Sequence, residues 1–355
     1  MSLELRFQLD RGSFHLDVDL ALPLRGITGI FGPSGSGKTT LLRVLAGLEP
    51  TSKGLVKVGG QVWQDGAAWT PAHLRSIGFV FQEPSLFSHL NVQRNISFGL
   101  KGKAATESKL AMEQCAALLG IEHLQERYPH QLSGGEQQRV AIARAVATSP
   151  SLLLMDEPMA SLDTARKLEL LPYFESLQQE LQIPILYVSH AKEEVLRLAN
   201  HLVLLQNGVV EAAGPVAEIA SRLDLSMAQS PDAQCVLETK VVGFEADYGL
   251  AHLEFAGGRL VVADSGMKLG DAVRVLVRGS DVSITLQRAS GTSILNVLDA
   301  TVEAVAEEDA SQCTVRLLLS GVPMLSRLTR KSVQQLQLVP GKQVFVQVKS
   351  VAVLN

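Results

Sequence analysis

The 355-residue chain is poor in cysteine, aromatic side chains and net charge, with three cysteines, 5% aromatics and a balance of 32 basic against 36 acidic residues. Cys115, Cys235 and Cys313 stand 120 and 78 residues apart, without a CxxC pair or a disulfide framework. That argues against a disulfide-stapled secreted scaffold and leaves the thiols as buried or incidental. The eight histidines show no metal-ligand spacing, which argues against a protein-built zinc site. A net charge of -4 argues against nucleic acid held on a basic face. No apolar run approaches the roughly 18 to 20 residues that span a bilayer, despite a mean hydropathy of +0.17. Met1-Ser2-Leu3-Glu4-Leu5-Arg6 has neither the basic start nor the apolar stretch of a signal peptide, so the expectation is a chain that stays in the cytosol. What the chain does have is a 46% apolar share, enough for a sizeable core, and a length that suits two domains.

From about residue 3 to 225, strand-like and helix-like runs alternate. Ile27–Phe31, Leu152–Asp156 and Ile185–Ser189 are short, continuously apolar and bounded by turn or polar residues, as strands buried on both faces of a parallel sheet are. Residues 40–48, 137–147 and 192–199 carry helical spacing. The polar, proline-containing stretch 226–234 reads as a linker. Beyond it Val273, Val275 and Val277, then Val344, Val346 and Val348, alternate with period two, which indicates an all-β domain. That domain also reads as internally repeated, with Gly270 to Arg278 laid on Gly341 to Lys349 and Ala251 to Phe255 on Cys313 to Leu317. The offsets of 71 and 62 differ, so one copy carries an insertion. The expected organisation is an α/β domain over 1–228 and an OB-like, repeated β domain over 229–355.

Gly32-Pro33-Ser34-Gly35-Ser36-Gly37-Lys38-Thr39 fits G-x-x-x-x-G-K-[ST], the Walker A loop, between an apolar strand and a helix opening at Thr40. Backbone N–H groups of such a loop wrap phosphates, and the helix N-terminus adds positive potential. Lys38 then reaches the β- and γ-phosphates of ATP, and the Thr39 hydroxyl ligates Mg²⁺. Leu152-Leu153-Leu154-Met155-Asp156-Glu157 is a buried strand ending in two acids. It fits a Walker B strand, with Asp156 holding Mg²⁺ directly or through water and Glu157 polarising the attacking water.

Leu132-Ser133-Gly134-Gly135-Glu136 opens another helix, 95 residues after Lys38 and 23 before Asp156. One nucleotide does not need two cradles in one chain, so Ser133 and Gly135 are read as closing on a nucleotide held by a second copy. On these residues the chain resembles the ATP-binding cassette (ABC) family, whose LSGGQ signature stands here as LSGGE. The change to Glu136 is mild because the Ser and Gly groups make the phosphate contacts. The resemblance implies further roles. Phe81-Gln82-Glu83-Pro84 looks like the Q-loop, where Gln82 contacts Mg²⁺ or the attacking water and senses a membrane partner. Ser161-Leu162-Asp163 resembles the D-loop, and His190 resembles the switch histidine that contacts γ-phosphate. The usual adenine-stacking aromatic is replaced by Arg11-Gly12, leaving Phe14 or Arg11 as candidates, and the acid after the switch histidine is Ala191.

An ABC ATPase without a span must borrow one, and residues 86–128 match the helical subdomain that receives a permease. One cassette plus a β appendage resembles importer ATPases, which implies a homodimer, an integral membrane permease dimer and, indirectly, a periplasmic binding protein at a bacterial inner membrane. Non-transport ABC ATPases of DNA or ribosomes carry coiled-coil insertions, a second cassette or basic extensions, and none is visible. Thr292-Ser293-Ile294-Leu295-Asn296-Val297-Leu298 with Lys349-Ser350 resembles the molybdopterin-binding (Mop) type of oxyanion module over about 291–355. That resemblance implies Ser293, Asn296, Lys349 and Ser350 as donors to molybdate or tungstate, with Leu295 in place of the usual Arg and Arg278-Gly279-Ser280-Asp281 at the matching late position of the first repeat. Over its length the chain looks like the ATP-binding subunits of molybdate importers, with sulfate, a sugar or a polyol as the alternative cargo.

Overall fold

The computed structural model describes residues 2–50, 53–66, 68–100 and 105–354, so residues 101–104 of the expected helical subdomain lie outside the described residues. The chain packs into two compact units, Met1–Gly214 and Pro215–Asn355.

Among the described residues the first unit has one eleven-stranded sheet. Its parallel part runs Ile77–Val80, Leu152–Asp156, Ile185–Ser189, Ile27–Phe31 and His201–Gln206 in spatial order. Leu152–Asp156 and Ile185–Ser189 are buried at every position, as strands covered on both faces must be. The other half is an antiparallel wing that helix and strand periodicity did not separate. Ser2–Arg11 pairs with Phe14–Pro23 on one side and Lys53–Val58 on the other. Helices Lys38–Leu45, Gly134–Val146 and Lys192–Leu198 lie close to the expected spans. The longest helix among the described residues, Thr164–Leu181, was not anticipated, and it holds Pro172 in its interior.

Arg75 ties the wing to the parallel half from a site only 4% exposed. Its guanidinium donates to Val44 O and Leu45 O at the end of the Lys38–Leu45 helix, at 2.9 and 2.7 Å, and to Thr70 O at 2.8 Å. It also stacks over Trp63, 5.6 Å from the ring centre. Burial lowers its pKa to about 10, so it stays charged at neutral pH and supplies a donor to Leu45 O at the helix end.

The second unit begins earlier than the 228/229 boundary expected from composition. Helix Val216–Ser221 belongs to it, and residues 226–234 are packed chain, with Met227, Ala228 and Ala233 all buried. The small side chains of Ala228 and Ala233 sit in the core of this unit, as those of an exposed linker would not. The repeat is real in the ladders. Gln234–Glu245 pairs with Ala272–Arg278 as Asn296–Glu307 pairs with Gln343–Val348. Each long strand is bulged at the same place, between Val241 and Gly243 and between Val302 and Ala304. Register corrects the alignment by two residues: Phe244 faces Ala251 where Val305 faces Val315, so Ala251 matches Val315 and not Cys313. A shift of two keeps every side chain on its face, which is why alternation alone could not detect it. The longer connection in the second copy contains helix Arg330–Gln335. The last strands are exchanged: Val282–Thr285 follows the first copy but pairs with Gln343–Val348, and Ala352–Leu354 pairs with Ala272–Arg278.

Replacing Arg75 by Met removes the guanidinium hydrogen bonds to Val44 O, Leu45 O and Thr70 O at a buried site. The expected loss is about 3 kcal/mol, read as a lowered calorimetric transition for the first unit while that of the second stays in place.

Candidate functional site

Four loops leave the same edge of the parallel sheet. Register sets Phe31 beside Ser189, Val188 beside Asp156 and Met155 beside Val80. The residues that follow, Gly32, His190, Glu157 and Gln82, therefore stand in a row at the carboxyl ends of neighbouring strands, where open α/β sheets bind ligands.

Gly32 to Thr40 form the loop and first turn. Gly37 holds φ 103° and Gly35 φ 81°, conformations that suit glycine. A Cβ on Gly32 would come within 2.0 Å of Leu205 O, and one on Gly37 within 2.9 Å of the Phe14 ring. The Lys38–Leu45 helix has no side-chain hydrogen bond at its N-cap, so its first N–H groups remain for a ligand. Ser36 Oγ is buried and has no hydrogen-bond partner, and Lys38 Nζ donates to Gly32 O and Pro33 O, both at 2.8 Å. Ser34, beside Pro33, is exposed. Burial pushes the Lys38 pKa down, and the Glu157 and Asp156 charges oppose that. A concave set of N–H groups, one orphaned hydroxyl and one buried ammonium fits a polyphosphate.

Thr39 Oγ1 donates to Asp156 Oδ1 at 3.0 Å. Two hard oxygen donors side by side fit Mg²⁺, which keeps waters and substrate phosphates for its remaining positions. No group of three His, Cys, Asp or Glu able to hold a metal occurs among the described residues. Glu157, the next residue, has φ 46°, a strained conformation for a non-glycine residue that aims its side chain along the row. Its Oε2 lies 2.9 Å from His190 Nδ1. Sequence order alone could not place these two together.

Gln82 is exposed just past the end of Ile77–Val80. The loop after it is held by Arg144, which donates to Pro84 O and Ser85 O at 3.2 and 2.9 Å and covers the Phe87 ring. Nothing local to Arg144 in the sequence points to this clamp. Ser133 and Gly135 line a crevice with Arg139, Arg166 and Tyr173, apart from the Walker residues among the described residues. Ser133 and Glu136 form a reciprocal capping box: Glu136 Oε2 accepts from Ser133 N at 2.7 Å and Ser133 Oγ from Glu136 N at 3.4 Å. The glutamate thus has a local task at the signature helix. Of the adenine candidates, Phe14 is packed on Gly37, while Arg11 is paired with Glu49 at 2.7 Å and half exposed.

In the second unit Asn296, Lys349 and Ser350 line a crevice of about 460 Å³ with Ser265, Val261 and Val351. Ser293 is exposed and is not among its lining residues. The Asn296 amide is largely committed: Oδ1 accepts from Val261 N at 2.6 Å and Nδ2 donates to Val261 O at 3.0 Å. In the first copy the matching position is Cys235, whose Sγ accepts from Leu325 N at 2.8 Å. The matching late turn, Gly279–Asp281, is packed down: Gly279 N donates to Ala233 O and Ser326 Oγ to Val282 O.

The phosphate loop, the paired acids on the neighbouring strand and the capped signature helix define an ATPase of the ATP-binding cassette type. Residues 16–160 match the ABC transporter family model and residues 292–354 the TOBE domain model. Among solved structures, CbiO1 of Clostridium perfringens, part of the ABC transporter complex cbiONQ, is 27% identical with a TM-score of 0.56, covering 62% of this chain and 92% of that one. The ATP-binding cassette MJ0796, in a dimeric post-hydrolysis structure with ADP and Pi, is 28% identical with a TM-score of 0.51, covering 61% and 98%. Molybdenum import ATP-binding protein ModC of Aromatoleum aromaticum is 52% identical over 356 residues, covering 100% of this chain and 94% of its own length. That of Pseudomonas aeruginosa is 52% identical over 357 residues, covering 99% of both. The chain belongs to the family of molybdenum import ATP-binding proteins. No helix among the described residues is long and apolar enough to cross a membrane.

Burial pushes the Asp156 carboxyl up, opposed first by the Thr39 hydrogen bond. The folded chain then holds that proton more tightly than the unfolded chain does. This group's contribution to stability is therefore full below the ordinary carboxylate pKa and is lost as pH rises through the raised value. At pH 7 the ionised carboxylate is a net cost. Asp156→Asn should melt above wild type without nucleotide and lack the further rise that Mg²⁺-ATP gives wild type, both read by calorimetry.

Proposed function

We propose that the chain is the ATP-hydrolysing subunit of an importer that energises molybdate uptake, with tungstate as the close alternative, through a separate membrane permease dimer at the cytoplasmic face of a bacterial inner membrane. The observation that carries this reading is one strand edge holding Lys38, Glu157 and His190, in a chain alignable along its whole length with molybdenum import relatives. A periplasmic oxyanion-binding protein would deliver cargo to the permease and touch this subunit only indirectly.

Two copies would sandwich two ATP molecules, each between Gly32 to Thr40 of one chain and Ser133 and Gly135 of the other. The loop N–H groups and Lys38 hold the phosphates, with Thr39 and Asp156 as the ligands for Mg²⁺ and Gln82 approaching from the neighbouring strand end. Bound Mg²⁺ would neutralise charge on the β- and γ-phosphate oxygens. Glu157 takes a proton from water as its oxygen attacks the γ-phosphorus and the bond to the ADP oxygen breaks. His190, held against Glu157, contacts the γ-phosphate. Closure pulls on the permease, and hydrolysis resets it. The second unit would bind the oxyanion in the crevice beside Lys349 and Ser350, throttling ATPase activity when internal anion is plentiful.

Glu157→Gln should bind ATP with near-wild-type affinity by calorimetry while turnover falls at least about 100-fold; wild-type turnover would remove Glu157 from its role. Titration of the full chain should give heat with molybdate and tungstate and none with sulfate, and Lys349→Ala should abolish it. Sulfate binding of equal strength would transfer the cargo assignment to another oxyanion.

A further inference from the structure

Behind the catalytic edge lies a buried polar cluster that ATP chemistry leaves unused. Glu194, in helix Lys192–Leu198, is 6% exposed. Both of its oxygens are taken. Oε1 accepts from Lys167 Nζ at 2.8 Å, and Oε2 accepts from Tyr187 Oη at 2.9 Å and Ser189 Oγ at 2.8 Å. Tyr187 is fully buried, and burial with the Glu194 charge keeps its hydroxyl protonated as the donor. A buried carboxylate with three donors is costly to assemble and persists where it holds something in place.

What it holds is the turn carrying His190. The same Ser189 hydroxyl that donates to Glu194 accepts from Ala191 N at 3.0 Å. Residue 191 is the N-cap of the following helix and, being alanine, supplies no cap of its own. Ser189 instead anchors the backbone N–H of that N-cap residue from two residues back, in a rotamer that Glu194 selects. His190 is thus bracketed on both sides, and its ring meets Glu157 at 2.9 Å. The far end of the cluster is Lys167, one turn into helix Thr164–Leu181, whose N–H bonds Asp163 O of the Ser161-Leu162-Asp163 segment.

We infer that Glu194 is a positioning residue for His190, and that the Lys167–Glu194 pair couples the 161–163 segment to that histidine. The inference rests on the assignment of His190 as the γ-phosphate contact. A built-in control exists, because Arg197 and Glu175 tie the same two helices at 2.8 Å without touching Ser189.

The test is steady-state ATPase kinetics of the full chain, together with ¹⁵N-histidine ring spectra, for Glu194→Gln, Lys167→Met, Glu175→Gln and His190→Gln. The expected result for Glu194→Gln is a kcat about 10-fold lower, as for loss of a group supporting a catalytic residue. KM for ATP should stay within about twofold, with a shifted His190 ring resonance. Lys167→Met removes a part-exposed ammonium and should show the same split more weakly, which keeps the inference testable if Glu194→Gln does not fold. Glu175→Gln should change neither quantity. Wild-type turnover in His190→Gln would overturn the assignment of His190 itself. Loss in His190→Gln with wild-type kcat in folded Glu194→Gln would overturn the positioning role alone, and so would equal losses in Glu194→Gln and Glu175→Gln.

Discussion

The constraint on which the rest of this structure depends is the register of four neighbouring parallel strands. Phe31 beside Ser189, Val188 beside Asp156 and Met155 beside Val80 bring the chain out at one edge in consecutive rows. Residues separated by more than a hundred positions, such as Gly32 and His190, become near neighbours because the ladders hold this register. A strand displaced by two residues would keep its buried faces and still move Asp156 or His190 by about 7 Å along its strand. Core packing on both sides of the sheet is therefore part of the catalytic apparatus, and the Arg75 clamp on the Lys38–Leu45 helix belongs to it.

The site is built short of its own satisfaction. Lys38 and Asp156 are buried with their pKa values pushed toward the neutral forms, Ser36 has an unpartnered hydroxyl, and the phosphate-loop helix has no cap. Glu157 is held at positive φ. Each feature costs stability in isolation, as groups held ready for a ligand do. The signature helix is the opposite case. Its cap is complete within the chain, through Ser133 and Glu136, so its geometry is ready before any ligand is shared.

The division between what could and could not be read from the sequence follows the range of the interactions. The phosphate loop, the two acids and the signature were visible because their glycines and capping residues act within a few positions and leave a fixed spacing. The antiparallel wing was hidden because its strands are defined by partners: Leu3 faces both Leu22 and Val58, and nothing local says so. Arg75, Arg144 and Glu194 were invisible for a related reason. A charged residue on a helix or loop reads as solvated unless its distant carbonyl or hydroxyl partners are known. The linker was misplaced because small residues such as Ala228 and Ala233 serve equally in a mobile segment and in a tight core.

The tandem β unit shows how duplication separates scaffold from site. Both copies keep the same bulge, the same strand order and the exchanged last strand, because those features build the shared core. At matching positions the copies differ in polarity. Asn296 grips the Val261 backbone with a donor and an acceptor, whereas the Cys235 sulfur accepts from Leu325 N. The late turn of the first copy is held by Gly279 and Ser326, and the exposed Lys349 and Ser350 of the second line an open crevice. Pseudo-symmetry alone would supply two equivalent crevices. The crevice beside Asn296 is lined with an ammonium and hydroxyls, without a carboxylate among its lining residues.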